Sequence, residues 1–109
     1  MKPRALRLAA ETDIDSAFAH YLNEAGADTA LGFLDEVDVA LSHIEHNPGT
    51  GSPRYGELCD VPGLRLWFVS RFPYAVLYVE HAEHLDVLRV LHQHRDIPAQ
   101  LADALQGGA

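Results

Sequence analysis

The chain has 109 residues, a single cysteine, and a net charge of −8 from eight Lys and Arg against sixteen Asp and Glu. That length supports one domain with one modest core, and a hydrophobic content of 48% is too high for a disordered chain. No apolar run reaches the roughly 18 residues that a membrane span needs, and a lone Cys59 gives neither a disulfide framework nor a cysteine zinc site. The start, Met1-Lys2-Pro3-Arg4, lacks the apolar stretch of a signal peptide, so a cytoplasmic location is expected.

The charge is distributed unevenly. No Lys or Arg occurs between Arg7 and Arg54, whereas that interval holds Glu11, Asp13, Asp15, Glu24, Asp28, Asp35, Glu36, Asp38 and Glu45. The arginines Arg54, Arg65, Arg71, Arg89 and Arg95 all fall in the second half. An acidic block of this kind repels phosphate backbones, because affinity for nucleic acid rests on cations displacing counterions.

In chain order, Arg4 to Ala9 reads as a short strand from the alternation of Leu6 and Leu8. Thr12 has the character of a helix N-cap, with Asp13 and Asp15 in the first turn. The apolar spacing of Ile14, Phe18, Tyr21 and Leu22 continues that helix to a stop at Gly26. A second amphipathic helix is predicted from about Asp28 to His46, its stripe formed by Ala30, Phe33, Leu34, Val37, Leu41 and Ile44. The two helices should pair antiparallel and cover one face of a sheet. Phe18, Tyr21, Phe33, Leu34, Val37, Leu41 and Ile44 are expected to be buried there, against Val76, Tyr78 or Leu77, and Val87 or Leu88.

The segment Asn47-Pro48-Gly49-Thr50-Gly51-Ser52-Pro53 breaks the helix. Three β-rich segments follow: Leu64-Arg65-Leu66-Trp67-Phe68-Val69, Tyr74-Ala75-Val76-Leu77-Tyr78-Val79 and Val87-Leu88-Arg89-Val90-Leu91-His92. Turns at Ser70–Pro73 and His81–His84 join them into an antiparallel meander. Pro98 opens a short helix through Leu105, and residues 106–109 read as a fraying tail after a single domain of residues 1–105. The fold class is α+β, with a twisted antiparallel sheet.

Gly63-Leu64-Arg65, Phe72-Pro73-Tyr74 and the finish Leu88-Arg89-Val90-Leu91-His92 with Arg95-Asp96 resemble the ParE/RelE toxin superfamily, and its ParE branch in particular. The resemblance extends back through Ala10, Asp13, Ile14, Tyr21, Phe33, Ile44, Pro48 and Gly51. It implies the toxin half of a bacterial type II toxin–antitoxin pair, neutralised by a cognate antitoxin in a hetero-oligomer. For the ParE branch it implies a toxin that binds DNA gyrase and traps cleaved complexes, with no chemistry of its own and no cofactor. On that reading the partner-binding residues are Arg65, Trp67, Arg71, Arg89, His92 and Arg95.

Two alternatives remain open. The RelE branch implies a ribosome-dependent mRNA endonuclease, for which Arg65, Arg71, His92, His94 and Arg95 are the matching cations and bases. A non-toxic, antitoxin-binding relative is the other. The nuclease reading is weakened by residues 47–54, which hold one arginine and no lysine, and by the absence of tyrosine after Tyr78. Direct nucleic-acid binding is therefore not expected. The pairs His43/His46 and His81/His84 have metal-like spacing but no third ligand placed by sequence, so no metal is expected. Of the neighbours Trp67 and Phe68, one should enter the core while the other faces the far side of the sheet.

Overall fold

A computed structural model describes residues 1–95 and 97–101. The elements are β1 (Arg4–Leu6), α1 (Leu8–Ala25), α2 (Ala27–His46), a 3-10 turn (Pro48–Thr50), α3 (Arg54–Leu58), β2 (Leu64–Phe68), β3 (Tyr74–Glu80) and β4 (Leu85–His92). A final helix, α4, covers 97–101. The predicted continuation to Leu105, the tail 106–109 and Asp96 lie outside the described residues.

The sheet order is β1-β4-β3-β2. β2, β3 and β4 form the expected antiparallel meander. β1 differs from the expectation of a wholly antiparallel sheet, because it pairs parallel to β4 with Leu6 opposite Val87. The helical hairpin between them is the crossover that a parallel pairing requires. The β3–β4 register shifts between Leu77 and Tyr78, which face Arg89 and Val87 respectively, so Leu88 is an extra residue in β4. Such a bulge bends its strand and redirects the side chains beyond it.

The hairpin packs on one face of the sheet. Phe33, Val37, Ala40, Leu41 and Ile44 of α2 and Ala10 and Ala17 of α1 meet Val76, Tyr78, Val87 and Val90. Small alanines at the contact let α1 approach closely. The expected core residues Phe18 and Tyr21 are only half-buried, and Leu34 is exposed. The buried stripe of α2 is centred on Phe33, Val37, Ala40 and Ile44, which leaves Leu34 on its flank. A second cluster on the opposite face joins Leu64, Leu66, Leu77, Leu88 and Leu91 to Ile97 and Leu101 of α4, with Tyr55, Cys59 and Val61 alongside. α3, which supplies Tyr55, was not predicted.

The first helix begins earlier than Thr12. Leu8 to Glu11 are already helical, Arg7 is the residue before the first turn, and Ala9 is not in a strand. Thr12 therefore sits inside the helix and caps nothing. Its neighbour Asp13 is turned to the sheet, with consequences for the site.

The loop after α2 is fixed by a knot around Gly51. The Tyr78 hydroxyl donates to the Pro48 carbonyl at 2.6 Å and accepts from the Gly51 N–H at 3.1 Å. A side chain at Gly51 would place its Cβ 2.6 Å from that hydroxyl, so only glycine permits the approach. Burial raises the Tyr78 phenol above its ordinary pKa, which keeps it a neutral donor.

Candidate functional site at the end of the sheet

Nearly all the cations near the sheet's N-terminal edge are matched. Lys2 pairs with Glu80 at 2.7 Å, Arg4 with Glu45 at 2.7 Å and Asp38 at 2.9 Å, and Arg7 with Asp86 at 2.9 Å. Glu45 is the buried charged residue of the core, and Arg4 and the Arg4 backbone N–H both donate to its carboxylate. Burial alone would raise the Asp86 carboxyl. The guanidinium of Arg7, and after it His81, hold it below its ordinary value instead.

The far end of the sheet is arranged differently. α1 and the exit of β4 enclose an open cleft of about 510 Å³. Asp13 and His20 of α1, Tyr74 of β3, Arg89 and His92 of β4, and His94 and Arg95 of the following loop all line it. Arg89 is fully engaged: it donates to both Asp13 oxygens at 2.7 and 2.8 Å and to the Gln100 carbonyl at 3.3 Å. Asp13 also accepts the Val90 N–H at 3.0 Å, where β4 has run past the short β1 and has no strand on that edge. The hydrogen bonds to Asp13, working against burial, raise the Arg89 pKa.

His92 is half-buried against Tyr74, ring centroids 5.2 Å apart, and its ring also lies 5.3 Å from that of His94. The His94 N–H approaches His92 Nδ1 at 3.2 Å, which assigns Nδ1 as acceptor and leaves Nε2–H as the ring's donor. Burial, followed by the nearby charges of His94, Arg95 and His20, lowers the His92 pKa. His94, Arg95 and His20 are exposed.

The sequence-derived residues are thus split. Arg89, His92, His94 and Arg95 share the cleft. Arg65 lies elsewhere: it faces Tyr78 across the strands, whereas His92 faces Tyr74, a separation of about 13 Å along β3 alone. Arg65 donates to the Gly51 carbonyl at 2.8 Å and belongs to the loop knot. Trp67 is half-buried on the hairpin side and stacks on His43, centroids 4.3 Å apart and planes at 15°. Phe68 points to the other face and is 51% exposed. Arg71 occupies the β2–β3 turn with a φ of 71°, exposed. Of the histidine pairs, His81 and His84 stack in their turn and His46 donates to the Ser42 carbonyl. Among the described residues no three His, Cys, Asp or Glu side chains gather for a metal.

Sequence reasoning missed His20 and Tyr74 as cleft residues and misread Asp13 as a dipole-compensating residue. Asp13, Ala17 and His20 lie at spacings of four and three, one face of a helix. That spacing was available once the helix start was placed at Leu8.

The strand, the helical hairpin packed on a meander and the short closing helix define a small α+β domain. The same fold is seen in a solved structure described as "Chromosomal ParDE TA system from P. aeruginosa", at a TM-score of 0.71 and 22% identity, covering 84% of this chain and 96% of that one. No curated protein matches the sequence. The model of the family described as "ParE toxin of type II toxin-antitoxin system, parDE" matches residues 5–97. The chain belongs to that family and is a ParE-type toxin of a type II toxin–antitoxin system.

Proposed function

We propose that this ParE-type toxin acts by binding DNA gyrase in the cytoplasm, does not cut RNA, and is held inactive by a cognate antitoxin. The observation that carries the reading is the disposition of its cations. Of eight Lys and Arg, Lys2, Arg4, Arg7 and Arg89 are matched to carboxylates. Arg65 is tied into the Gly51 loop four residues of β3 away from the His92 register, and Arg71 does not line the histidine cleft, so the cations do not form the continuous track that a polynucleotide needs. Among the described residues no helix is long and apolar enough to cross a membrane.

A protein target fits the remaining surface better. Leu31, Val39 and Phe68 are each more than half exposed, and apolar exposure on so small a domain suits protein contacts. Arg71, His92 and Arg95 at the open end of the sheet are the partner-binding residues this reading retains. Arg65, Trp67 and Arg89 act from behind by holding the loop, the sheet face and α1 in place. An antitoxin segment with an apolar stripe and basic flanks would complement the acidic hairpin.

The test is to induce the protein and assay plasmid supercoiling beside a map of mRNA 5′ ends. Loss of gyrase supercoiling with an unchanged 5′-end map is the expected result. New cleavage sites that vanish in His92→Ala, with supercoiling intact, would promote the nuclease alternative.

A further inference from the structure

The cleft between α1 and the end of β4, whose His92 and Arg95 the proposed reading already gives to partner binding, presents a charge imbalance of its own. Asp13 is the carboxylate among the described residues lining it, and both its oxygens are occupied by Arg89 and the Val90 N–H. Arg95 and the imidazoles of His20, His92 and His94 therefore face the cleft with no carboxylate partner among the described residues. They sit on a chain whose net charge is −8, so they are not part of a generally basic surface. His94, Arg95 and His20 all lie near enough to His92 to oppose its protonation. An anion placed among them would relieve that opposition.

We infer that this cleft is a binding site for one phosphate-type oxyanion, held by the Arg95 guanidinium and the imidazoles of His20, His92 and His94. The donors arrive from three directions: α1, the exit of β4 and the loop behind it. A tetrahedral oxyanion offers acceptor oxygens in as many directions, whereas a carboxylate offers two in one plane. His92 contributes without being protonated, because Nδ1 is taken by the His94 N–H and Nε2–H remains to donate. A cleft of about 510 Å³ admits a phosphate together with the small molecule that carries it. A single phosphate needs one such cluster. A polynucleotide needs several in a line, and the displacement of Arg65 along the sheet denies it that.

Binding is linked to protons. The charged or titratable groups facing His92 are Asp13 and His20 from α1, Tyr74 from β3, Arg89 on β4, and His94 and Arg95 from the loop. A bound anion favours the protonated form of His92 over the neutral one, so affinity rises as pH falls.

The experiment follows imidazole proton resonances of the full chain while sulfate, a dianion whose charge does not change in this range, is added at constant ionic strength at about pH 8 and about pH 6. Inorganic phosphate, adenosine monophosphate and a short oligouridylate are run in parallel, with chloride as control. The expected result is a saturable shift of His92 and His94 with sulfate and not with chloride, tighter at the lower pH. Arg95→Gln and His92→Gln should each weaken binding by about fivefold or more, the scale of one charge-assisted hydrogen bond, while Lys2→Gln, whose ammonium pairs with Glu80 away from the cleft, leaves it unchanged. Both variants lie at or near the surface, and far-ultraviolet dichroism confirms that they fold. Adenosine monophosphate binding more tightly than phosphate supports a nucleotide as the carrier, and equal binding supports free phosphate. The inference is overturned if sulfate gives no saturable shift, if the variants bind as the parent does, or if the oligouridylate binds far more tightly than the mononucleotide with a steep salt dependence. None of these outcomes depends on gyrase, so failure here leaves the proposed target standing.

Discussion

The two ends of the sheet solve the same problem in opposite ways. At the β1 end, Lys2, Arg4 and Arg7 each meet a carboxylate, and the contacts tie the N-terminus to α2, β3 and β4. At the β4 exit the order comes from aromatic packing. Tyr21, Phe33, Phe72 and Tyr74 interlock with centroids 5.2–6.3 Å apart, and Tyr74 passes the contact on to His92. Because apolar rings hold that end in place, its cations do not have to be spent on holding it. A charge already paired inside a fold has little left to offer a partner, while an unpaired one on a rigid support is preorganised for binding. On the proposed reading, the acidic end serves stability and the histidine end recognition.

The largest effect should come from removing the aromatic support. Phe33 is fully buried and touches Tyr21, Phe72 and Tyr74. Phe33→Ala should cost about 3–5 kcal/mol and loosen the cleft above it. A urea melt is the measurement, and a loss below about 1 kcal/mol would mean that the two ends do not divide their work in this way.

Next in size is the ion pair at the opposite end. Arg4→Ala leaves the Glu45 carboxylate buried without its cation, and should cost about 2–3 kcal/mol, below the full value for a buried pair because the Arg4 side chain is 27% exposed. Replacing both partners, as Arg4→Met with Glu45→Leu, should recover most of that loss, since the desolvation of two charges disappears together with their attraction. If the double variant melts no later than Arg4→Ala, the pair is worth more than its desolvation costs, and charge pairing is a stronger device at this end than supposed.

Asp13→Asn tests the boundary between the two strategies. It keeps an acceptor for the Val90 N–H but removes the anion that neutralises Arg89. The expected destabilisation is about 1–2 kcal/mol. The same change adds a free guanidinium to the cleft, so sulfate should bind more tightly even as the fold weakens. Affinity that falls in step with stability would show that Asp13 positions the cleft rather than balancing its charge.

These features were unequally legible in the sequence. The strand–hairpin–meander order followed from the periodicity of residues that face the core, such as Phe33, Val37 and Ile44, which local spacing records directly. Thr12 misled because its capping chemistry is local, while the start at Leu8 depends on the parallel docking of β1 on β4, a contact spanning most of the chain. The helix α3 was hidden behind the breaker that ends at Pro53, which stands as the residue before its first turn, and at five residues it is too short to show a helical period. Arg65 and His92 both carried the family signature, yet nothing in their spacing told that four residues of β3 separate their registers. Asp13 and Arg89 lie 76 positions apart, so their pairing, which leaves Arg95 without a carboxylate partner among the described residues, could only be seen folded.

The smallest effect, and the most specific to the cleft, concerns pH. The His92 pKa is lowered in the fold, by burial first and then by the positive neighbours His94, Arg95 and His20. The unfolded chain therefore binds a proton at His92 more readily than the folded one. Stability is at its full value above the ordinary histidine value of 6.5, falls as pH drops through it, and levels off below the folded value. Asp86 acts in the same direction but in a lower window: its carboxyl is depressed, so its contribution is present above its ordinary value of 3.8 and is lost only on further acidification. His92→Gln should flatten the upper part of the stability profile and leave the lower part unchanged. Saturating sulfate should do the same to the parent protein, because an anion in the cleft lets the folded histidines take up the proton. Thermal melts of the parent, with and without sulfate, and of His92→Gln across both windows make the comparison. Three superimposable profiles would mean that the histidine end carries no unrelieved charge, and the contrast between the two ends of the sheet would be lost.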